Sequence, residues 1–138
     1  MALVPLRSLD HRRLGSVLAG RVMPGYSVGG AAAEAAFRRA VALAPADGVS
    51  WMELSRLELY LGRPQAALAP ARRAAELYPT VARAHTLLAQ ALLGFGDRAG
   101  ARAELRWAMA GDWQDDDEAR RAAEQMLAGL REPEPKRR

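Results

Sequence analysis

The stretch GVSWMELSRLELYLGRPQAALAPARRAAELYPTV, residues 48–81, decides the fold. Trp51 and Leu54 stand one helical turn apart, Leu61-Gly62 closes the first half, Pro64 opens the second, Ala67 and Ala74 recur within it, and Pro79 ends it. Apolar residues returning every three to four positions predict two helices joined by a tight turn. Gly62 permits the left-handed conformation that stops the first helix, and Pro64 suits the first turn of the second, where its missing N–H would have no partner anyway. The small Ala67 and Ala74 let the two helices cross closely, while Trp51 fills the gap between successive pairs. Pro70, inside the second helix, carries a penalty of about 3 kcal/mol. It is expected to kink that helix without breaking it, the bend being absorbed on the convex, solvent-facing side.

The same pattern returns at a fixed period. Shifted forward by 34 residues, His85 takes the place of Trp51, Leu88 and Ala89 follow, Gly96 matches Gly62, and Ala101, Leu105 and Ala108 repeat the second helix. Shifted backward, Ala33, Phe37, Ala40 and Pro45 give another second helix, over 31–44. Its partner is less regular. Pro24-Gly25 interrupts the register, so a helix over 9–22 ends early and the turn Met23 to Gly30 is lengthened by roughly three residues. The apolar set of that helix, Leu9, Leu14, Val17, Leu18 and Val22, is expected to pack on helix 31–44. Beyond the last repeat, Asp117 is positioned to cap a final helix in which Arg120, Arg121 and Glu124 surround Ala119, Ala122, Ala123, Met126 and Leu130. Such a helix shields an apolar end that would otherwise face water.

On these residues the chain resembles the tetratricopeptide-repeat (TPR) family over roughly positions 9–130. It departs from the family pattern at Ser55, where glycine is usual, and at Glu58, where an aromatic residue is common. The resemblance implies an all-α solenoid of about three TPR helix pairs with a C-terminal capping helix. Its divisions would be an N-terminal extension 1–8, an irregular repeat 9–47, repeats 48–81 and 82–115, a cap helix 116–130, and a disordered basic tail 131–138. It also implies a scaffold or adaptor, or a small subunit of a larger assembly, whose concave face is lined by the first helix of each pair and takes a peptide or helix of a partner. The lining positions are Val49, Met52, Glu53, Arg56, Leu59 and Tyr60 in one repeat and Arg83, Thr86, Leu87, Gln90 and Leu93 in the next. Apolar anchors interspersed with Arg56, Arg83 and Gln90 suit a segment with apolar side chains and an occasional acid. The lysines and asparagines with which some family members hold the C-terminal carboxylate of heat-shock chaperones are replaced here by Met52, Arg56, Arg83 and Leu87, which argues against that ligand.

Composition narrows the other classes. Alanine and leucine dominate and isoleucine is absent, which favours helix over strand. Without cysteine there is no disulfide, thiolate site or cysteine nucleophile. Arg7, Asp10, Arg12 and Arg13 break up the early apolar residues, so a leader peptide is not predicted, and the expected setting is the cytoplasm. All but one of the basic residues are arginine, which reads as the bias of a GC-rich, bacterial genome. The net charge of +4 is unevenly spread: residues 1–30 hold four arginines against one acid, whereas residues 112–130 hold six acids against two arginines. No nucleic-acid module or interleaved aromatic accompanies the basic ends, and the apolar face of helix 9–22 is more simply a packing face than a membrane anchor. His11 and His85 lack the spacing of a metal pair, His85 being read as a packing residue. The acids 115–118 lack the glycine and alternation of a calcium loop and suit a helix N-terminus. With no nucleophile–base pair or phosphate loop, neither an enzyme nor a cofactor is predicted. Trp107 and Trp113 are expected to pack under the cap helix, the alternative being an edge contact with a neighbour, and self-association through the irregular first repeat is the alternative to partner binding.

Overall fold

The computed structural model describes residue 8, residues 11–15 and residues 28–131. After a helical segment at 11–15 come six helices: α1 (Val28–Leu43), α2 (Gly48–Tyr60), α3 (Pro64–Leu77), α4 (Ala82–Gly94), α5 (Arg98–Ala110) and α6 (Asp117–Gly129). The fold is an all-α solenoid of antiparallel pairs, α2 with α3 and α4 with α5, preceded by α1 and closed by α6. Helix α1 starts at Val28, inside the turn expected to run to Gly30, and stops before Ala44. The remainder of the expected helix 9–22 lies outside the described residues, as does 132–138.

The two inner turns are built alike. In the first, the Gly62 amide donates to the Leu59 carbonyl and the Arg63 amide to that of Glu58; in the second, Gly96 donates to Leu93 and Asp97 to Leu92. This is the paired arrangement that satisfies the last carbonyls of a helix, and it requires a left-handed residue. Gly62 (φ 72°) and Gly96 (φ 80°) supply it.

Small residues set the distance between helices. Ala67, Ala71 and Ala74 on α3 and Ala101, Leu105 and Ala108 on α5 are fully buried. Ser55, in the place of the family's glycine, is buried at the α2–α3 crossing, and its hydroxyl donates to the Ala67 carbonyl at 3.1 Å. Trp51 lies between pairs, with Nε1 donating to the Pro45 carbonyl. One period on, His85 reproduces that bond, its Nε2 standing 2.8 Å from the Pro79 carbonyl. A carbonyl can only accept, so Nε2 carries the hydrogen. Nδ1 lies 2.8 Å from a Glu104 carboxylate oxygen. The ring is also stacked on Trp107. Packing accounts for His85, and the neighbouring acid comes with it.

Two apolar clusters result. The larger joins Met52, Leu87, Leu88, Leu92 and Leu105 to Ala123 of the closing helix and to Leu130 at its cap; the smaller holds Ala33, Phe37, Val41, Leu54 and Leu57. At the junction of the last repeat with the cap, the Asp112 amide donates to the Thr80 carbonyl and the Ala82 amide to that of Asp112, a short parallel bridge between 81 and 112.

Several local expectations need correction. Helix α3 continues unbroken through Pro70 as expected, but the ring is buried instead of facing solvent. The final helix is capped by Asp116, whose carboxylate accepts from the Ala119 amide, and Asp117 is its first helical residue. Ala123 within that helix and Leu130 at its C-terminal cap are buried, but Ala122 is exposed. Trp113 packs against the larger cluster, whereas Trp107 stays 64% exposed. In the N-terminal segment Leu14 is exposed, and it is Gly15 that meets α1, so close to Phe37 that a Cβ there would fall 2.7 Å from the ring.

Candidate functional site

Helix α2 packs directly on α4, and no comparable contact joins α3 to α5. The stack is therefore tighter on the side of the first helices, which is the concave side. Of the positions named on α2, Val49 and Tyr60 are the exposed apolar ones, at 37% and 56%, and Arg56 is exposed beside a half-buried Glu53 that it contacts at 2.6 Å. Leu59 is half-buried against the larger core. On α4, Arg83 and Gln90 are exposed, Thr86 donates its hydroxyl to the Ala82 carbonyl, and Leu93 is half-buried against the core. Met52 and Leu87 are core residues, so they support the face from below without presenting a surface to a partner.

A second set of groups continues this face toward α6. Arg83 donates to Asp116 at 3.0 Å, which joins the start of α4 to the start of the closing helix. The Ala119 amide, followed by the Arg83 guanidinium, holds the Asp116 carboxyl below the usual carboxylate range. Val81, Arg83, Asp112, Trp113, Gln114 and Asp116 border a hollow of about 190 Å³. Its rim turns sharply: Gln114 and Asp115 both have positive φ, and the Gln114 amide donates to the Asp112 carboxylate. Asp116 is the residue that sequence reasoning missed. The acidic run was visible, but its pairing with an arginine one repeat earlier depends on how α4 and α6 stack.

Between α1, α2 and the first glycine turn lies a charge cluster around a buried carboxyl. Glu58 is fully buried, and its oxygens lie 3.9 Å from Arg38 and from Arg63, beyond hydrogen-bonding distance. Those arginines instead engage Glu34, at 2.9 and 3.1 Å. Burial, with the adjacent Glu34, pushes the Glu58 carboxyl above its ordinary range. Burial works against Glu34 as well, yet the hydrogen bond from Arg38, the neighbouring Glu58 and the two guanidinium charges hold it low. Glu58 is enclosed between helices, while Arg38 and Arg63 reach it from the surface. Among the described residues, no group of three or more His, Asp or Glu side chains is placed to hold a metal ion, and no helix is long and apolar enough to cross a membrane.

No protein-family model and no curated protein matches the chain. Its structure, however, is similar to several solved ones. The TPR2B domain of yeast Sti1, solved as a complex with pHsp70, superposes with a TM-score of 0.76 at 19% identity, over 89% of this chain and 94% of that one. The Yersinia enterocolitica type III secretion translocator chaperone SycD gives 0.74 at 19% identity, covering 91% and 86%. The Sgt2 TPR domain from Aspergillus fumigatus gives 0.66 at 17%, covering 95% and 88%.

Proposed function

We propose, from the premise that this chain has the tetratricopeptide-repeat fold, that it is a binding module that holds a peptide segment or helix of a partner protein on its concave face. The observation that carries the reading is the arrangement of α2 and α4. They stand side by side on the tighter edge of the stack and present Val49 and Tyr60 as apolar contacts beside Arg56, Arg83 and Gln90. Among the described residues the arginines, themselves exposed, are engaged in pairs with the half-buried Glu53 and with Asp116. Pairs of that kind contribute roughly 0–1 kcal/mol, so exchanging their acids for those of a partner is inexpensive. Structures of similar fold were solved with peptides: SycD with a peptide of the translocator YopD, and the first TPR of Spaghetti (RPAP3) with the HSP90 peptide SRMEEVD. For this chain the buried Met52 and Leu87 leave only the two arginines to meet a terminal carboxylate. That supports an internal segment with apolar side chains and one or two acids as ligand, in preference to a chaperone tail.

The test is affinity purification from the native host with mass spectrometry, comparing the wild type with R56E/R83E after circular dichroism has shown both to be helical. A partner held by the wild type and lost by the variant supports recognition on this face. A partner retained by the variant places recognition elsewhere. Concentration-dependent oligomers with no partner in light scattering would favour self-association instead.

A further inference from the structure

The outer seam between α5 and α6 departs from the repeat that precedes it. One period earlier, between α3 and α4, the corresponding residues are Leu68, Arg72, Leu93 and Asp97. There Leu68 and Leu93 both pack against the larger core, and Asp97 caps the next helix. In the last repeat these positions become Arg102, Arg106, Leu127 and Arg131, and together they line a groove of about 520 Å³. A seam closed by two leucines and an acid has become one open along a half-buried leucine and edged by three guanidinium groups.

Arg98 is accounted for by its bond to the Gly129 carbonyl, at the end of α6 where a cation is favoured. Arg98, Arg102 and Arg106 then follow one another at four-residue spacing along α5, an arrangement that disfavours the helix through like-charge repulsion. Neither Arg106 nor Arg131 has an ion-pair partner among the described residues.

We propose that this groove is a second docking surface, separate from the concave face, for an acidic protein segment: two or three carboxylates, two of them spaced by about 6 Å as Arg102 and Arg106 are by helical rise, flanking an apolar side chain that rests on Leu127. Guanidinium groups match carboxylates bidentately, and their stems cover the apolar part of the ligand. The charge distribution selects a short acidic segment over a long polyanion. Asp112, Asp115, Asp116, Asp117 and Glu118 crowd the opposite end of α6, about 20 Å away by helical rise, and would repel a nucleic-acid backbone that continued along the helix.

Fluorescence anisotropy with a labelled synthetic peptide of glutamates with interspersed leucines, run beside a labelled single-stranded RNA homopolymer, tests this. The expected result is saturable peptide binding, weakened about tenfold or more in R102E/R106E and unchanged in R56E/R83E. Because charge reversal can disturb folding, Arg102→Leu is the companion variant. It restores the inner repeat's residue opposite Leu127, should raise Tm, and should still weaken the peptide several-fold. No peptide binding by the wild type, equal affinity in R102E/R106E and R102L, or tighter binding of the RNA than of the peptide would each overturn the proposal. The concave-face variant separates this outcome from a failure of the adaptor reading.

Discussion

Glu58 is a carboxyl in a position built for an apolar ring, and its oxygens are left without a hydrogen-bonding partner. Replacing such a group with a hydrocarbon of similar size removes the desolvation penalty. Glu58→Leu is therefore expected to stabilise the fold by on the order of 1 kcal/mol or more, read as a higher urea midpoint at neutral pH. The pH dependence fixes the sign. A carboxyl whose folded pKa is raised contributes stability that is fully present below its unfolded value, near 4.5, and lost as pH rises through the folded value. Glu34 has the opposite sign, its contribution being lost on acidification, but Arg38 and Arg63 remain to hold it when Glu58 is replaced. The stability gained by Glu58→Gln over the wild type should thus widen between about pH 4 and about pH 7; a gap independent of pH would show that Glu58 is not the titrating group. Much at this scale was legible in the sequence: Trp51, Ala67 and Gly62 perform the tasks their positions announce. The exception is depth. Spacing along a helix gives the direction of a side chain but not how far the next helix covers it, which is why Met52 and Leu87 read as surface anchors and lie in the core.

Among the elements, the two glycine turns give the plainest expectation. A Cβ at Gly62 or Gly96 would meet nothing within 4 Å, so an alanine there suffers only the left-handed backbone. Gly62→Ala and Gly96→Ala should each destabilise by about 1–2 kcal/mol, and the double variant by nearly the sum, because the turns are separate. Denaturant unfolding checks both statements. At the start of α6, Asp116→Ala removes the cap and the contact to Arg83 together, and a lower Tm is expected. Since the Asp116 carboxyl is held low, its stabilisation is present above its unfolded value, near 3.8, and is lost as pH falls; the wild-type advantage should therefore shrink on acidification. Assigning the cap to Asp117 was an error of one residue in a run of three aspartates, where the choice depends on which carboxylate reaches an amide. Pro70 was misplaced for a related reason. Its penalty in a helix is local and legible, but the side it faces is set by the crossing of α3 with its neighbours.

For the whole molecule, a stack whose parts touch mainly their neighbours makes stability regional. The smaller cluster, around Phe37 and Leu54, serves the N-terminal part, and the larger runs from Met52 to Leu130. Phe37→Ala should cost about 3–5 kcal/mol where it acts, and native-state hydrogen exchange should show lost protection in α1 and the start of α2 with α5 and α6 little changed. Uniform loss along the chain would mean that the array opens as one unit. The 34-residue period carried the family resemblance from which the architecture was expected, whereas the outer groove emerged only when equivalent seams were compared in space. The bridge from Thr80 and Ala82 to Asp112 has a mechanical side. It ties together the two ends of the α4–α5 pair, so tension applied along the chain passes through the clasp and initially bypasses the helices between. When it parts, about thirty residues of stored contour length become available, roughly 100 Å when drawn out. The last repeat is thus arranged to open only after the clasp does, more like a buckle than a spring.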